Sequence, residues 1–300
     1  MKVNHLESSL EVNFLSKIKA LVALMKLRLS SLVVLSAFFG YFMAKGDLSS
    51  WSLCHLLLGG LLITGSSNGF NQLLEINTDL LMKRTINRPL PSKVLSKLEA
   101  ILFSSIIGFI GLWLLYLVNY KSLMLGLFSM ITYVIIYTPL KKKSSIAVFI
   151  GAIPGSIPPL LGYVAVTNKF GLEPGILFML QFFWQFPHFW ALGWMLDDDY
   201  KKAGFNMLPT GQRDKKTAIQ IILYVIWMII ISVFPYSGLT GSLTLSFYGV
   251  IIVLCVGIIM LFFAINLYNR MDINSAKNLF LYTIFYLTSI QLVYIIDKSL

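Results

Sequence analysis

The stretch Thr244-Leu-Ser-Phe-Tyr-Gly-Val-Ile-Ile-Val-Leu-Cys-Val-Gly-Ile-Ile-Met-Leu-Phe-Phe-Ala-Ile-Asn266 runs for 23 residues without a charge. As an α-helix rising about 1.5 Å per residue it spans roughly 30 Å of hydrocarbon. It lacks the strict alternation of a membrane β-strand, which excludes a barrel. Working outward, eight further apolar runs recur at 29–44, 51–74, 99–118, 123–140, 146–166, 176–196, 217–235 and 279–296. The chain of 300 residues is 57% hydrophobic and only 12% charged, with mean hydropathy +0.78. A soluble fold cannot hide that much apolar surface behind so few charges. The expectation is an all-α, polytopic membrane bundle of nine transmembrane helices. Residues 1–28 form a polar, mildly amphipathic cytoplasmic segment without a cleavable signal, and 29–300 form one transmembrane domain.

The net charge of +11 reads as topology in such a chain, and nucleic acid is not an expected partner. With the N-terminus inside, 20 of the 24 Lys and Arg residues fall on the cytoplasmic side. Only Lys45, Lys121, Lys169 and Lys298 fall outside, which predicts N-in and C-out. Cys54 and Cys255 lie in or beside apolar runs without metal-ligand spacing, so they read as small apolar filler. The inner loops at about 75–98 and 197–216 are long and carry acids as well as bases, whereas the outer loops are short and nearly bare. Chemistry is therefore expected at the cytoplasmic mouths of spans two and six. Asp79 and Asp199 lie 120 residues apart, across four spans, a spacing that hints at a duplicated helical unit.

Span two ends in Asn71-Gln-Leu-Leu-Glu75-Ile-Asn-Thr-Asp79. Steps of four residues keep Asn71, Glu75 and Asp79 on one helical face over about 12 Å. Three oxygen donors in a row suit a hard cation, and magnesium in particular is held by one or two carboxylates together with phosphate oxygens. Arg84 and Arg88 follow at the same spacing, before Pro89 and Pro91. Carboxylates running into guanidinium groups are what a metal-bound diphosphate requires. The competing reading is that the acids mark the membrane exit and the arginines serve topology. Asp197, Asp198 and Asp199 follow span six, where three adjacent like charges are eased by a cation or by solvent. Lys141, Lys142 and Lys143 close span four after Tyr137. Gly151, Pro154, Gly155, Pro158, Pro159 and Gly162 are expected to break span five, and irregular backbone at membrane depth points to a pocket beside it.

Together, Asn-x3-Glu-x3-Asp, Arg84-Thr85-x2-Arg88-Pro89-Leu90-Pro91, Tyr137-x3-Lys141-Lys142 and Asp198-Asp199-Tyr200-x2-Ala203-Gly204 resemble the UbiA superfamily of intramembrane prenyltransferases over nearly the whole chain. Trp184-Gln185-Phe186-Pro187-His188-Phe189 and the Arg-Thr-x2-Arg-Pro-Leu-Pro string are similar to the branch that farnesylates haem. The resemblance implies that Asn71, Glu75, Asp79, Asp198 and Asp199 hold Mg2+ and act in catalysis. It implies that Arg84, Arg88, Lys141, Lys142 and Lys202 bind the substrate diphosphate. It further implies that Tyr137, Trp184, Gln185 and His188 belong to the acceptor pocket. Two departures stand out: Met195 replaces the acid expected four residues before Asp199, and Glu75 stands where many relatives have Asp.

The activity so implied is magnesium-dependent transfer of a farnesyl group from farnesyl diphosphate to a vinyl group of haem b, giving haem O. The site would face the cytoplasm of a bacterial inner membrane, with a haem A synthase as the partner receiving product. Tyr137 and Trp184, near the inner ends of their spans, are candidates for stabilising an allylic cation through their ring faces, with packing as the competing reading. His188 lies about 16 Å above Asp199 by helical rise and could ligate or orient haem iron, or hydrogen-bond a neighbour. An aromatic acid as acceptor would use the same acids and loops, and a transporter would share the charged and broken spans.

Overall fold

The computed structural model describes residues 14–299; residues 1–13 of the expected N-terminal segment, and Leu300, lie outside the described residues. Twelve α-helices follow one another, and no strand occurs among the described residues. They are α1 (Phe14–Leu24), α2 (Leu27–Met43), α3 (Trp51–Leu74), α4 (Ile76–Asp79), α5 (Lys97–Val118), α6 (Tyr120–Ile131), α7 (Thr138–Leu140), α8 (Ala147–Thr167), α9 (Leu172–Lys202), α10 (Lys215–Val233), α11 (Phe247–Arg270) and α12 (Ile273–Ser299). A π-helical turn, Thr132–Tyr137, joins α6 to α7.

Local chemistry sets the helix ends. Ser96 caps α5, and Glu99 returns the bond to the Ser96 backbone, a capping box that satisfies orphan donors at the helix start. Asn119, Asp214 and Ser246 cap α6, α10 and α11 in the same way with a side-chain oxygen. Each of the nine expected runs is occupied by helix among the described residues. Seven helices are long and apolar enough to cross a membrane, and α1 with α2, bent by 42°, makes an eighth when taken as one span. The helix α9 falls outside that set because Gln181, Gln185, Pro187 and His188 dilute its apolar run.

The helices α2, α3, α5, α6 and α8 pack together as an N-terminal group, while α9 to α12 share a second core containing Trp194, Tyr286 and Tyr294. The two groups meet chiefly where α8 lies along α9. Three buried polar side chains of the C-terminal group pair with one another: Ser232 Oγ lies 2.6 Å from the Tyr286 hydroxyl, and the Tyr294 hydroxyl donates to the Ser232 carbonyl at 2.7 Å. Such pairing satisfies groups to which neighbouring lipid offers no partner.

The expected break of span five does not occur, since α8 is one continuous helix despite Pro154, Pro158 and Pro159. Pro158 has no N–H for the Pro154 carbonyl, and the Ser129 hydroxyl of α6 donates to that oxygen instead, at 3.4 Å. Glycines give α8 a different use. A Cβ at Gly40 would collide with the Pro159 carbonyl, and one at Gly162 with the Ala37 carbonyl, so α2 and α8 approach backbone to backbone.

Candidate active site

Three loops converge at one end of the bundle. The Lys83 backbone N–H donates to Asp199 Oδ1 at 3.3 Å, which joins the loop after α4 to the end of α9. The Ser145 hydroxyl donates to the Pro209 carbonyl at 3.4 Å, joining the loop before α8 to the loop after α9. The two acid-bearing loops, remote in sequence, are therefore neighbours.

Asn71, Glu75 and Asp79 are all buried, at 2%, 3% and 0% exposure. They do not lie on one uninterrupted helix. The helix α3 stops at Leu74, and Glu75 takes a non-helical conformation before α4 begins. The Glu75 N–H still donates to the Asn71 carbonyl at 3.1 Å, and the Asp79 N–H to the Glu75 carbonyl at 2.8 Å, so the kink is slight and the acids stay inward. Thr85 fastens the loop by donating to the Asp79 carbonyl at 2.8 Å.

Cations close around these acids. Arg88 Nη1 donates to both Asp79 oxygens, at 2.9 and 2.8 Å. Lys141 Nζ lies 2.7 Å from Glu75 Oε1 and packs over the rings of Tyr137, at 4.9 Å, and Phe205, at 5.4 Å. Lys26, in the left-handed linker between α1 and α2, has Arg88, Lys141, Glu75 and Asp79 as its charged neighbours. Burial lifts the Asp79 carboxyl above its ordinary range, and Arg88 draws part of that shift back.

The widened π-turn before α7 shapes the opposite wall. Thr138 Oγ1 donates to the Tyr133 carbonyl at 2.8 Å and accepts from Asn71 Nδ2 at 3.2 Å, which ties the first acidic helix to this turn. The turn brings the Tyr133 and Tyr137 rings to a centroid separation of 5.2 Å. Lack of a side chain at Gly151 makes room for the Tyr137 ring, and the same lack at Gly155, one turn along α8, makes room for Gln185. Gln185 Nε2 donates to Ser156 Oγ at 2.8 Å and to the Ala152 carbonyl at 3.0 Å.

The other candidates separate by position. Asp199 keeps Lys202 at 3.8 Å, whereas Asp198 turns to solvent and pairs with Arg213 at 3.0 Å. Asp197 is the buried member of that triplet and pairs with Lys201 at 2.7 Å. Arg84 and Lys142 are exposed and form no ion pair among the described residues. Trp184 and His188 face α12, away from Gln185: Trp184 Nε1 donates to the Thr283 carbonyl at 2.6 Å, and His188 Nδ1 lies 2.7 Å from Thr283 Oγ1. The sequence assigns no site role to Lys26, Tyr133 or Phe205. Lys26 counts there only toward topology, and nothing in a single run signals that it neighbours the acids of another helix.

No three acidic, histidine or cysteine side chains among the described residues close on a point as a complete metal cage. The donor set nevertheless fits magnesium, which takes one or two carboxylates and completes its shell with water and phosphate oxygen. Glu75 Oε1 is buried against the Lys141 ammonium at 2.7 Å, and the remaining carboxylate lone pairs are left for a cation.

A buried pair of carboxylates ringed by Lys26, Arg88 and Lys141, at one mouth of a helical membrane bundle and backed by tyrosines, defines an intramembrane enzyme acting on a diphosphate. The chain belongs to the UbiA prenyltransferase family, whose pattern matches residues 33–290. It is 49% identical over 273 residues to the protoheme IX farnesyltransferase of Christiangramia forsetii, covering 91% of each chain. It is 48% identical over 271 residues to the protein of that name from Flavobacterium psychrophilum, covering 89% of this chain and 90% of the relative. Among solved structures, it resembles digeranylgeranylglyceryl phosphate synthase with a TM-score of 0.79 at 19% identity, over 94% of this chain and 98% of the other. A UbiA homologue from Archaeoglobus fulgidus, bound to GPP and Mg2+, matches with a TM-score of 0.66 at 13% identity, over 92% of this chain and 99% of the other.

Proposed function

We propose that this chain transfers the farnesyl group of farnesyl diphosphate to a vinyl group of haem b, releasing diphosphate and giving haem O. The carrying observation is the buried charge set in which Asp79 and Glu75 are each matched by a cation, Arg88 and Lys141. These pairs hold the hollow together when substrate is absent. An entering diphosphate meets Arg88, Lys141 and Lys26, while the carboxylates they release become free to bind a cation. Magnesium, when bound, supplies charge neutralisation to the departing diphosphate. Arg88 and Lys141 hold the leaving oxygens, and placing them in a partly dry hollow strengthens each interaction.

The tyrosine wall then bears on the allylic carbon. Tyr133 and Tyr137 offer ring faces beside the charged set, where a developing cation is stabilised and bulk water is kept away. The terminal vinyl carbon bonds to the farnesyl C1 as the C1–oxygen bond breaks. Water adds at the carbon next to the porphyrin and loses a proton, leaving a hydroxyethylfarnesyl group. Asp199 takes part from the α9 side through its contact with Lys83 and the nearby Lys202. The 20-to-4 distribution of basic residues supports an N-in, C-out chain of nine crossings in a bacterial inner membrane, with this mouth toward the cytoplasm. A haem A synthase is the partner proposed to take the product.

The test supplies the purified full chain in lipid vesicles with farnesyl diphosphate, magnesium and haem b, or 4-hydroxybenzoate in its place, and separates products by chromatography and mass. Farnesylated, hydrated haem with release of diphosphate is the expected product. Prenylation of the aromatic acid alone overturns the choice of acceptor, and uptake into sealed vesicles without turnover overturns the enzyme reading.

A further inference from the structure

The pair His188 and Thr283 lies outside the charged hollow, and its hydrogen bonding determines which imidazole nitrogen carries the proton. Thr283 Oγ1 donates its single proton to the Phe280 carbonyl at 2.6 Å, the back-bond a threonine makes along its own helix. It has no proton left for His188, so the 2.7 Å contact requires that His188 Nδ1 donates and Thr283 Oγ1 accepts. The imidazole is thereby held as the Nδ1–H tautomer, with the lone pair on Nε2.

The ring is gripped on its other sides as well. Trp184 stacks on it at 4.5 Å and 21°, and Phe280 at 4.6 Å and 27°. Two rings this close to a shared third, without contact to each other, occupy its opposite faces. Trp184 is itself anchored to α12 by the bond from Nε1 to the Thr283 carbonyl. Phe189 meets the ring edge-on at 5.4 Å and 70°, and with both faces and the Nδ1 edge also engaged, Nε2 makes no hydrogen bond among the described residues. The residue is half-buried, so the Nε2 edge is not sealed. An oriented imidazole whose second nitrogen donates to a fixed oxygen is the arrangement seen in histidines that ligate metals.

We infer that His188 Nε2 is an axial ligand to the iron of the acceptor porphyrin, and that Thr283 is the positioning residue that holds it in the ligating tautomer. This rests on haem b being the acceptor. It assigns α9 and α12 the task of holding the acceptor, apart from the loops that hold the diphosphate.

The experiment titrates the detergent-solubilised full chain with ferric haem b and follows the Soret band, electron paramagnetic resonance and the iron–histidine stretch in the reduced form. The wild type is expected to show nitrogen ligation. His188→Gly should lose that signature and regain it with added imidazole, while binding of iron-free protoporphyrin IX stays unchanged. Thr283→Val should keep the signature but raise the Kd for haem about 10- to 100-fold, the usual loss when a ligand's outer hydrogen bond is removed. Identical spectra and haem affinity in His188→Gly, or equal weakening for haem and iron-free porphyrin, overturn the inference. Should His188→Gly fail to fold, the Thr283→Val shift decides alone, and an unchanged haem Kd there counts against the assignment. Farnesyl transfer is scored separately: turnover without histidine ligation defeats this inference alone, and ligation without transfer defeats the functional reading alone.

Discussion

The substitution Asp79→Asn removes one charge and almost no volume from a fully buried position. Two cations, Arg88 and Lys141, are paired with two carboxylates, Asp79 and Glu75, so these charges balance. A metal-free diphosphate loads the site with negative charge, whereas its magnesium complex is closer to balance. Replacing Asp79 leaves one cation in excess and removes a metal ligand, so both effects favour the metal-free form over the complex. One charge at about 4 Å is worth about 4 kcal/mol at an effective dielectric near 20. Because the Arg88 side chain is still 18% exposed, water and salt screen part of this, and about 1.5–2.7 kcal/mol should survive, or about 10- to 100-fold in affinity. The assay is calorimetric binding of a non-reactive farnesyl thiolodiphosphate, with magnesium and with chelator. In Asp79→Asn the ratio of the two affinities should fall by that factor, alongside loss of turnover. A ratio equal to the wild type would refute the placement of Asp79 between metal and diphosphate.

Two further outcomes follow from the same geometry. Lys26→Met should raise the KM for farnesyl diphosphate about tenfold or more, because it withdraws a cation from the hollow. Arg84→Ala, at an exposed side chain with no ion pair among the described residues, should stay close to the wild type in steady-state kinetics. Asp79 also predicts the pH response, since its folded carboxyl sits above the ordinary carboxylate range through burial. A raised folded value means the native state takes up this proton more readily than the unfolded chain, so acidification through that window does not remove stability on its account. It does remove activity, because the protonated group neither pairs with Arg88 nor binds a cation. The acid limb of kcat/KM should therefore lie above the usual carboxylate position and move higher still in Arg88→Gln, which loses the guanidinium that lowers it. A limb that stays put or moves down contradicts this.

Much of the site was legible in the chain because helical periodicity shows which residues share a face. Asn71, Glu75 and Asp79 stood out by their spacing of four, and all three are buried together. Pairing was less legible. Arg84 and Arg88 share a spacing rule, yet Arg88 binds Asp79 and Arg84 faces solvent, because the loop after α4 turns between them through Thr85. Among the three adjacent aspartates, helical rotation of about 100° per residue sends Asp198 out to Arg213 and Asp197 inward. The phase of that rotation is set by what α9 packs against. Trp184 and Gln185 are sequence neighbours and part for the same reason, one toward α12 and the other toward α8. The prolines of span five misled in the opposite direction: a freed carbonyl finds a hydroxyl on another helix, which no local rule reports.

The chain alone determined that this protein is helical, lies in a membrane, and concentrates acids and bases in the loops of one side. Those properties follow from run length, hydropathy and charge, each a sum over neighbouring residues. Tertiary structure alone decided that Lys141 pairs with Glu75, that Lys83 meets Asp199, and that Thr283 orients His188. Each of these joins groups from different helices, and which pairs meet depends on how whole helices pack, a property that no local window contains.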